Sequence, residues 1–174
     1  MKKPDVVSSK LVFDGYFKIR RDTLRYDNGY TSTYDYMEPF IAVAVLPIID
    51  DEILLLKQYR HPLKRFTYDL PAGAINSQEL LRTAARRELE EETGYYAKKL
   101  SVLGRFNHSP GSSGSIVHLF AGTELTKTKT NQDKGEVIEV VPIKLSKFED
   151  FVSGKELEPI VPLSYYLAKG KGLI

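Results

Sequence analysis

The sequence predicts an α/β protein with a small antiparallel β-unit at its N-terminus. Residues 40–49 and 52–60 are apolar stretches too continuous to have a solvated face, so they predict strands of a sheet that is covered on both sides. Residues 73–95 carry apolar side chains at helical spacing and predict a helix after this pair of strands. Residues 11–37 alternate apolar and polar side chains, which is typical of short strands.

Length and charge narrow the choice of partners. The 174 residues suit one domain with a real core, and the 25 basic and 23 acidic side chains give a formal net charge of only +2. These charges are interspersed, so the sequence offers no stripe for nucleic acid and no polybasic membrane anchor. The absence of cysteine excludes a disulfide framework and a thiolate metal site. No signal region or membrane-spanning apolar run is found, and we expect a cytoplasmic protein.

The N-terminal strands are separated by turns, the clearest of which is Asp27-Asn28-Gly29. Two or three strands do not stabilise themselves in water. This unit, residues 1–38, must therefore pack against the main domain, residues 39–174, or against a second subunit. The aromatic side chains in residues 11–37 could supply that packing.

The helix is predicted to start at Asn76, because Glu79 three residues later completes a capping box. Gly94 predicts its end, since glycine readily takes the left-handed conformation that terminates a helix. The apolar side chains between these points recur on one face, which should pack on a core: Leu81, Ala84, Ala85 and Leu89.

Three glutamates lie where that apolar face continues toward Gly94. At about 100° per residue, Glu88 and Glu92 project on the apolar side and Glu91 flanks them. The helix dipole disfavours anions in the last turn, and like charges repel more strongly when they are partly buried. A charged surface helix is the alternative, but this crowding requires a positive partner. Clustered carboxylate oxygens suit Mg²⁺ or Mn²⁺.

The rest of the chain predicts further elements in order. Two strands flank a turn at residues 109–114, and a polar loop at residues 126–135 leads into a strand at residues 136–141. A short helix then precedes Pro159 and Pro162, and a second helix is predicted from Leu163.

The spacing around the first helix matches a known motif at every fixed position. Gly73, then Glu79 after five residues, then the run 87–94 after seven more, follow the pattern of the Nudix box. The chain resembles the Nudix hydrolases over roughly residues 40–165, with Tyr95 where the family usually has an aliphatic residue. The resemblance implies an α/β/α sandwich in which a mixed sheet lies between helices.

The same resemblance assigns a metal site. The Ala72 carbonyl, Glu88 and Glu92 would hold Mg²⁺, with Glu91 assisting or holding a further ion. Arg87 would orient Glu91 rather than contact the substrate.

Three other stretches resemble the family branch that acts on ADP-ribose and other ADP-sugars: Gln58-Tyr59-Arg60, Pro110 fifteen residues beyond Tyr95, and residues 135–140. This branch hydrolyses ADP-ribose to AMP and ribose 5-phosphate. It also implies a homodimer in which the N-terminal unit completes the substrate pocket and one of its aromatic residues stacks on adenine.

The branch implies the remaining site residues. Glu136 would take the proton from the attacking water, with Glu139 as the alternative base. Arg60 would clamp the diphosphate, which a guanidinium can do through paired hydrogen bonds. Pro110 and Gly111 belong to the loop that would line the ribose.

Two other kinds of function stay open. The substrate could be GDP-mannose, ADP-glucose or an oxidised nucleotide. The chain could also be a non-catalytic Nudix module that senses a ligand. The intact glutamates at 88, 91 and 92 argue against a pure binder, which has no need of crowded metal ligands.

Overall fold

The computed structural model describes residues 2–132, 135 and 137–174, and it divides into two compact units. The first, here called the N-terminal unit, comprises Met1–Ile41 and Asn107–Ile116. The second, here called the main unit, comprises Ala42–Phe106 and Val117–Ile174. The N-terminal unit is therefore built from two segments that lie far apart in the sequence.

The N-terminal unit contains a three-stranded antiparallel sheet in the order β1 (Asp5–Asp14), β2 (Lys18–Arg25) and β3 (Thr31–Met37). The predicted turn between β2 and β3 is confirmed, because Gly29 has φ 80° and its N–H donates to the Tyr26 carbonyl at 3.0 Å. Strand β1 begins earlier than the predicted residue 11, since Asp5 pairs in register with Arg25 and cross-strand partners of opposite charge favour the extension.

The main sheet has the strand order β10-β5-β4-β9-β8, with β6 beside β5 and β7 beside β4. Its strands are β4 (Ile41–Ile49), β5 (Glu52–Arg60), β6 (Arg65–Asp69), β7 (Ala72–Ala74), β8 (Tyr95–Asn107), β9 (Ile116–Lys127) and β10 (Ile138–Lys144). The predicted apolar strand pair at 40–49 and 52–60 is confirmed as β4 and β5. The α-helices of the described residues are α1 (Leu81–Thr93), α2 (Phe148–Ser153) and α3 (Ile160–Gly170).

Strand β4 shows why the sheet is covered on both faces. All residues from Ala42 to Ile48 are buried, and successive side chains of a strand point to opposite faces. Ala42, Ala44, Leu46 and Ile48 pack in one cluster with Phe148, Val161 and Tyr165 of α2 and α3. Val43 and Val45 pack in another cluster with Ala84, Ala85 and Leu89 of α1. The α/β class and the mixed sheet between helices are thus confirmed.

The second C-terminal helix starts earlier than the predicted Leu163. Helix α3 begins at Ile160 and includes Pro162 in its first turn. Proline is tolerated there because the first N–H groups of a helix have no partner within it. Across the described part of the chain, no helix is long and apolar enough to cross a membrane. Location in the cytoplasm stays a prediction.

Candidate active site

The start of α1 differs from the predicted capping box. The helix begins at Leu81, whereas Asn76 and Glu79 close a separate turn. In that turn the Glu79 N–H donates to the Asn76 carbonyl at 3.1 Å, and the Asn76 N–H donates to the Glu79 carboxylate at 3.0 Å. Gln78 has φ 65°, a left-handed conformation that interrupts any helix running through the turn.

The end of α1 is as predicted. Gly94 has φ 73° and ψ 26°, and its N–H donates to the Glu90 carbonyl at 2.9 Å. The last turn before it brings the predicted carboxylates inward, because Glu88 and Glu92 are buried on the same face as Ala85.

Strand β7 places backbone groups against both buried carboxylates. The Ala72 N–H donates to Glu92 Oε2 at 3.0 Å, and Ala72 is itself held by pairing with Ala44 of β4. Beside it, the Glu88 carboxylate lies directly on Gly73: a Cβ added to Gly73 would lie 2.2 Å from Glu88 Oε1. Any side chain at position 73 would therefore displace the Glu88 carboxylate from this place.

Arg87 is the positive partner of this cluster. Its NH1 group donates to Glu88 Oε1 at 2.7 Å and to Glu91 Oε2 at 3.2 Å. Its Nε and NH2 groups donate to the two carboxylate oxygens of Glu79, each at 3.0 Å. Glu79 was predicted only to cap the helix, so this paired contact, which fixes the Arg87 guanidinium, was not predicted. The signal would have been the complementary charges at positions 79 and 87.

The electrostatics of the cluster follow from burial. Loss of water raises the pKa of Glu88, and the nearby charges of Glu91 and Glu79 add to this, although Arg87 opposes it. The hydrogen bonds from Arg87 lower the pKa of Glu79. Arg87 therefore neutralises part of a cluster that is otherwise strongly negative.

The donor set fits a hard divalent cation. Two buried carboxylates lie against the backbone of Ala72 and Gly73, and carboxylate and carbonyl oxygens are the ligands that such cations prefer. In residues 2–132, 135 and 137–174, no three acidic or histidine side chains are grouped so as to hold a metal. A site made of two carboxylates and one backbone carbonyl needs no third acidic or histidine side chain.

Arg60 is anchored at the end of β5 by a buried carboxylate. Its Nε group donates to Asp69 Oδ2 at 2.9 Å, and its NH2 group contacts the same oxygen. Burial raises the pKa of Asp69 even though Arg60 opposes the shift. About 45% of the Arg60 side chain remains exposed, so it is held without being enclosed.

The other predicted site residues lie apart from this cluster in the chain. Pro110 and Gly111 belong to the N-terminal unit, where the Gly111 carbonyl accepts a hydrogen bond from the Tyr34 hydroxyl at 2.5 Å. Glu139 lies on β10, largely exposed and 3.7 Å from Lys57. Glu136, the predicted base, lies outside the described residues.

The profile of the NUDIX domain matches residues 38–162, which is most of the chain. The chain belongs to the NUDIX domain family. Nudix hydrolases generally need a divalent metal ion. The carboxylates of α1 are ligands of the kind that such an ion prefers.

This Nudix hydrolase is similar in sequence and structure to proteins of known name. It is 39% identical to the ADP-ribose pyrophosphatase of Bacillus subtilis, over 75% of this chain and 72% of that protein. It is 31% identical to a methanol dehydrogenase activator of Bacillus methanolicus, over 87% of this chain and 84% of that protein. A crystal structure of an ADP compounds hydrolase superposes with a TM-score of 0.90 at 25% identity, covering 100% of this chain and 98% of the other.

Proposed function

We propose that this Nudix hydrolase cleaves the diphosphate of a nucleoside diphosphate sugar with Mg²⁺, and that its substrate is ADP-ribose. The products are AMP and ribose 5-phosphate. The observation that carries the proposal is the pair of buried carboxylates, Glu88 and Glu92, beside the Ala72 and Gly73 backbone. The names of the Bacillus subtilis relative and of the superposed crystal structure support an ADP-containing substrate.

The cation would be held by the Glu88 and Glu92 carboxylates and the Ala72 carbonyl, with Glu91 as an assisting ligand. Mn²⁺ is the alternative to Mg²⁺. When bound, a divalent cation neutralises charge that builds on the phosphoryl oxygens and lowers the pKa of the attacking water. Arg87, through its 3.2 Å contact, sets the position of the Glu91 carboxylate.

Other residues would bind the substrate and accept the proton of the attacking water. Arg60, held by Asp69, contacts the diphosphate oxygens through its exposed part. Pro110 and Gly111 line the ribose in this proposal. Glu136 accepts the proton of the attacking water, and Glu139 is the alternative base.

The N-terminal unit would bind the adenine and form the homodimer. It contains an open pocket of about 210 Å³, lined by Tyr16, Phe17, Lys18, Met37, Glu38 and Phe40. Aromatic side chains stack on any base, and each such contact is worth about 1–3 kcal/mol in other nucleotide-binding proteins. Of the aromatic residues in 11–37, Tyr16 and Phe17 line this pocket and are the proposed stacking residues.

Competition kinetics test the substrate. With Mg²⁺ held constant, kcat/KM for ADP-ribose should exceed that for GDP-mannose and for 8-oxo-dGTP by at least about tenfold, which corresponds to about 1.4 kcal/mol in transition-state binding. A preference for either rival would refute the ADP-ribose assignment and leave the hydrolase intact. Absence of turnover on all three, with ligand binding retained, would indicate a sensing module.

The base is tested separately in the same assay. Glu136→Gln should lower kcat by about 10²–10⁴ with little change in KM, because the amide cannot accept the proton. Glu139→Gln is the matched variant. If only Glu139→Gln is inactive, the base has been assigned to the wrong residue.

A further inference from the structure

The side chain of Arg60 turns back along the pair of strands β5 and β6. Arg60 is in register with Arg65, next to the connection between the two strands, whereas Asp69 is in register with Leu56, four residue pairs farther into the sheet. All four side chains point to the same face, because residues in register share a face and side chains alternate along a strand. The Arg60 guanidinium reaches Asp69 Oδ2, with Nε at 2.9 Å. It therefore points toward the body of the sheet.

The neighbour on the opposite strand gives a reason for this direction. Like charges directly opposite each other on adjacent strands are destabilising, and Arg65 lies opposite Arg60. Each arginine contacts a different carboxylate: Arg65 contacts Glu156, whose side chain is 64% exposed, and Arg60 contacts Asp69, whose side chain is 2% exposed. Water and salt screen the exposed pair more strongly than the pair that includes a buried group. Asp69 is therefore the carboxylate that should fix its partner.

Asp69 also lies close in the chain to the proposed metal site, since it precedes Ala72 by only three residues. The pairing of β6 with β5 fixes Asp69. The Val45 N–H of β4 fixes the chain between the two residues by donating to the Pro71 carbonyl at 2.9 Å. The anchor of Arg60 and the proposed carbonyl ligand therefore belong to one short segment that the sheet supports on both sides.

We propose that Asp69 is a positioning residue for hydrolysis, which directs the Arg60 guanidinium toward the diphosphate of the substrate. This inference rests on the proposed function, in which Arg60 contacts the diphosphate oxygens and Asp69 does not touch the substrate. A guanidinium has five N–H donors, so two contacts to Asp69 leave donors for phosphate oxygens. Holding a long side chain in place before the substrate arrives reduces the conformational entropy that binding would cost.

The experiment compares Asp69→Ala with Glu156→Ala, which removes the carboxylate partner of the neighbouring Arg65. We expect Asp69→Ala to raise KM for ADP-ribose about tenfold and to change kcat by less than about threefold, because Arg60 loses its direction while the α1 carboxylates remain. Asp69→Asn keeps an acceptor oxygen without the charge and should raise KM only about threefold. Glu156→Ala should match wild type. A role in stability alone would change the Tm and leave KM unchanged.

A double-mutant cycle shows whether Asp69 acts through Arg60. In the Arg60→Met background, Asp69→Ala should change KM by less than about twofold, because the side chain that it directs is absent. An equal rise of KM in both backgrounds overturns the proposal, and so does a KM of Asp69→Ala within about twofold of wild type. If Asp69→Ala does not fold, Asp69→Asn takes its place in the cycle, and a KM equal to that of wild type overturns the proposal.

The NMR signal of the Arg60 Nε–H gives a readout that is independent of turnover. This signal is assigned by its loss in Arg60→Met. It should exchange with water at least about tenfold faster in Asp69→Ala than in wild type, and at the wild-type rate in Glu156→Ala. Unchanged exchange in Asp69→Ala overturns the proposal. If the wild-type protein hydrolyses no nucleotide sugar, the proposed function fails, whereas the exchange rate still decides whether Asp69 holds Arg60.

Discussion

At the residue scale, the proposed site depends on carboxylates that the fold itself buries. Glu88 and Glu92 lie in the helix face that packs on β4 and β7, and Glu88 rests on the Gly73 backbone. Uncompensated negative charge in such a place opposes folding, because burial disfavours the ionised form. Removing one of these charges should therefore abolish activity without lowering the stability of the fold.

Glu92→Gln tests this separation. The variant should lose metal-dependent hydrolysis, since a neutral amide is a poor ligand for Mg²⁺, while its fold persists because Gln can still accept from the Ala72 N–H. The Tm of the metal-free variant should equal or exceed that of wild type. Glu90→Gln makes the same chemical change elsewhere on α1 and should keep its activity. Near wild-type turnover of Glu92→Gln at saturating Mg²⁺ would contradict the ligand role.

Asp69 predicts a pH dependence of stability. Its folded-state pKa is raised by burial above the ordinary value of 3.8, so the folded protein keeps this proton to a higher pH than the unfolded chain does. Its contribution to the free energy of unfolding should then fall as the pH rises from about 3.8 through the raised pKa. Urea unfolding at several pH values should show wild type losing stability relative to Asp69→Asn over that window. Parallel curves would contradict the prediction.

The sequence could predict which glutamates face inward but could not predict the network around Arg87. Helical periodicity alone places Glu88 and Glu92 on the buried side. The Glu79–Arg87 contact joins a turn to a helix, and the left-handed conformation of Gln78 inside that turn has no clear signal in the sequence. Arg60 was predicted to contact substrate, whereas its anchor Asp69 became visible only in the pairing of β5 with β6.

At the element scale, long apolar patterns were predicted well and helix starts were not. Strands β4 and β5 are buried on both faces, so their composition leaves little choice of structure. Helices α1 and α3 start at Leu81 and Ile160, and each start depends on local geometry. The left-handed Gln78 prevents α1 from starting at Asn76, and Pro162 fits inside the first turn of α3.

The contact between α1 and β8 predicts a stabilising role for Arg86. Its Nε and NH2 groups donate to the carbonyls of Ala97 and Lys98 at 2.9 and 3.1 Å. Arg86→Met removes these donors, and we expect the free energy of unfolding to fall by about 1–3 kcal/mol. Lys98→Met, at an exposed position on β8, should change it by less than about 0.5 kcal/mol. Equal values for the two variants, measured by urea unfolding, would argue against the contact.

At the scale of the whole molecule, the N-terminal unit has an exposed edge strand. Every residue of β1 is exposed, and β1 lies at the edge of its sheet. Exposed apolar side chains on an edge strand favour association with another chain. The homodimer of the proposed function would cover them.

Sedimentation tests the dimer. The wild-type protein should sediment at twice the chain mass of 19.7 kDa. Phe13→Lys, which places a charge on β1 at a residue that is 58% exposed, should sediment as a monomer and lose activity. Tyr166→Lys changes an exposed aromatic residue on α3 and should remain dimeric. A stable and fully active wild-type monomer would rule out the assembly.

The two-segment construction of the N-terminal unit limits how this protein can be recombined with its relatives. The Met37 N–H donates to the Ser112 carbonyl at 2.9 Å, and the Ile116 N–H donates to the Phe40 carbonyl at 3.0 Å. A chimaera that took only residues 1–41 from another family member would exchange one side of these contacts and keep the other. Residues 1–41 and 107–116 must therefore be exchanged together, although more than sixty residues of the main unit separate them in the sequence.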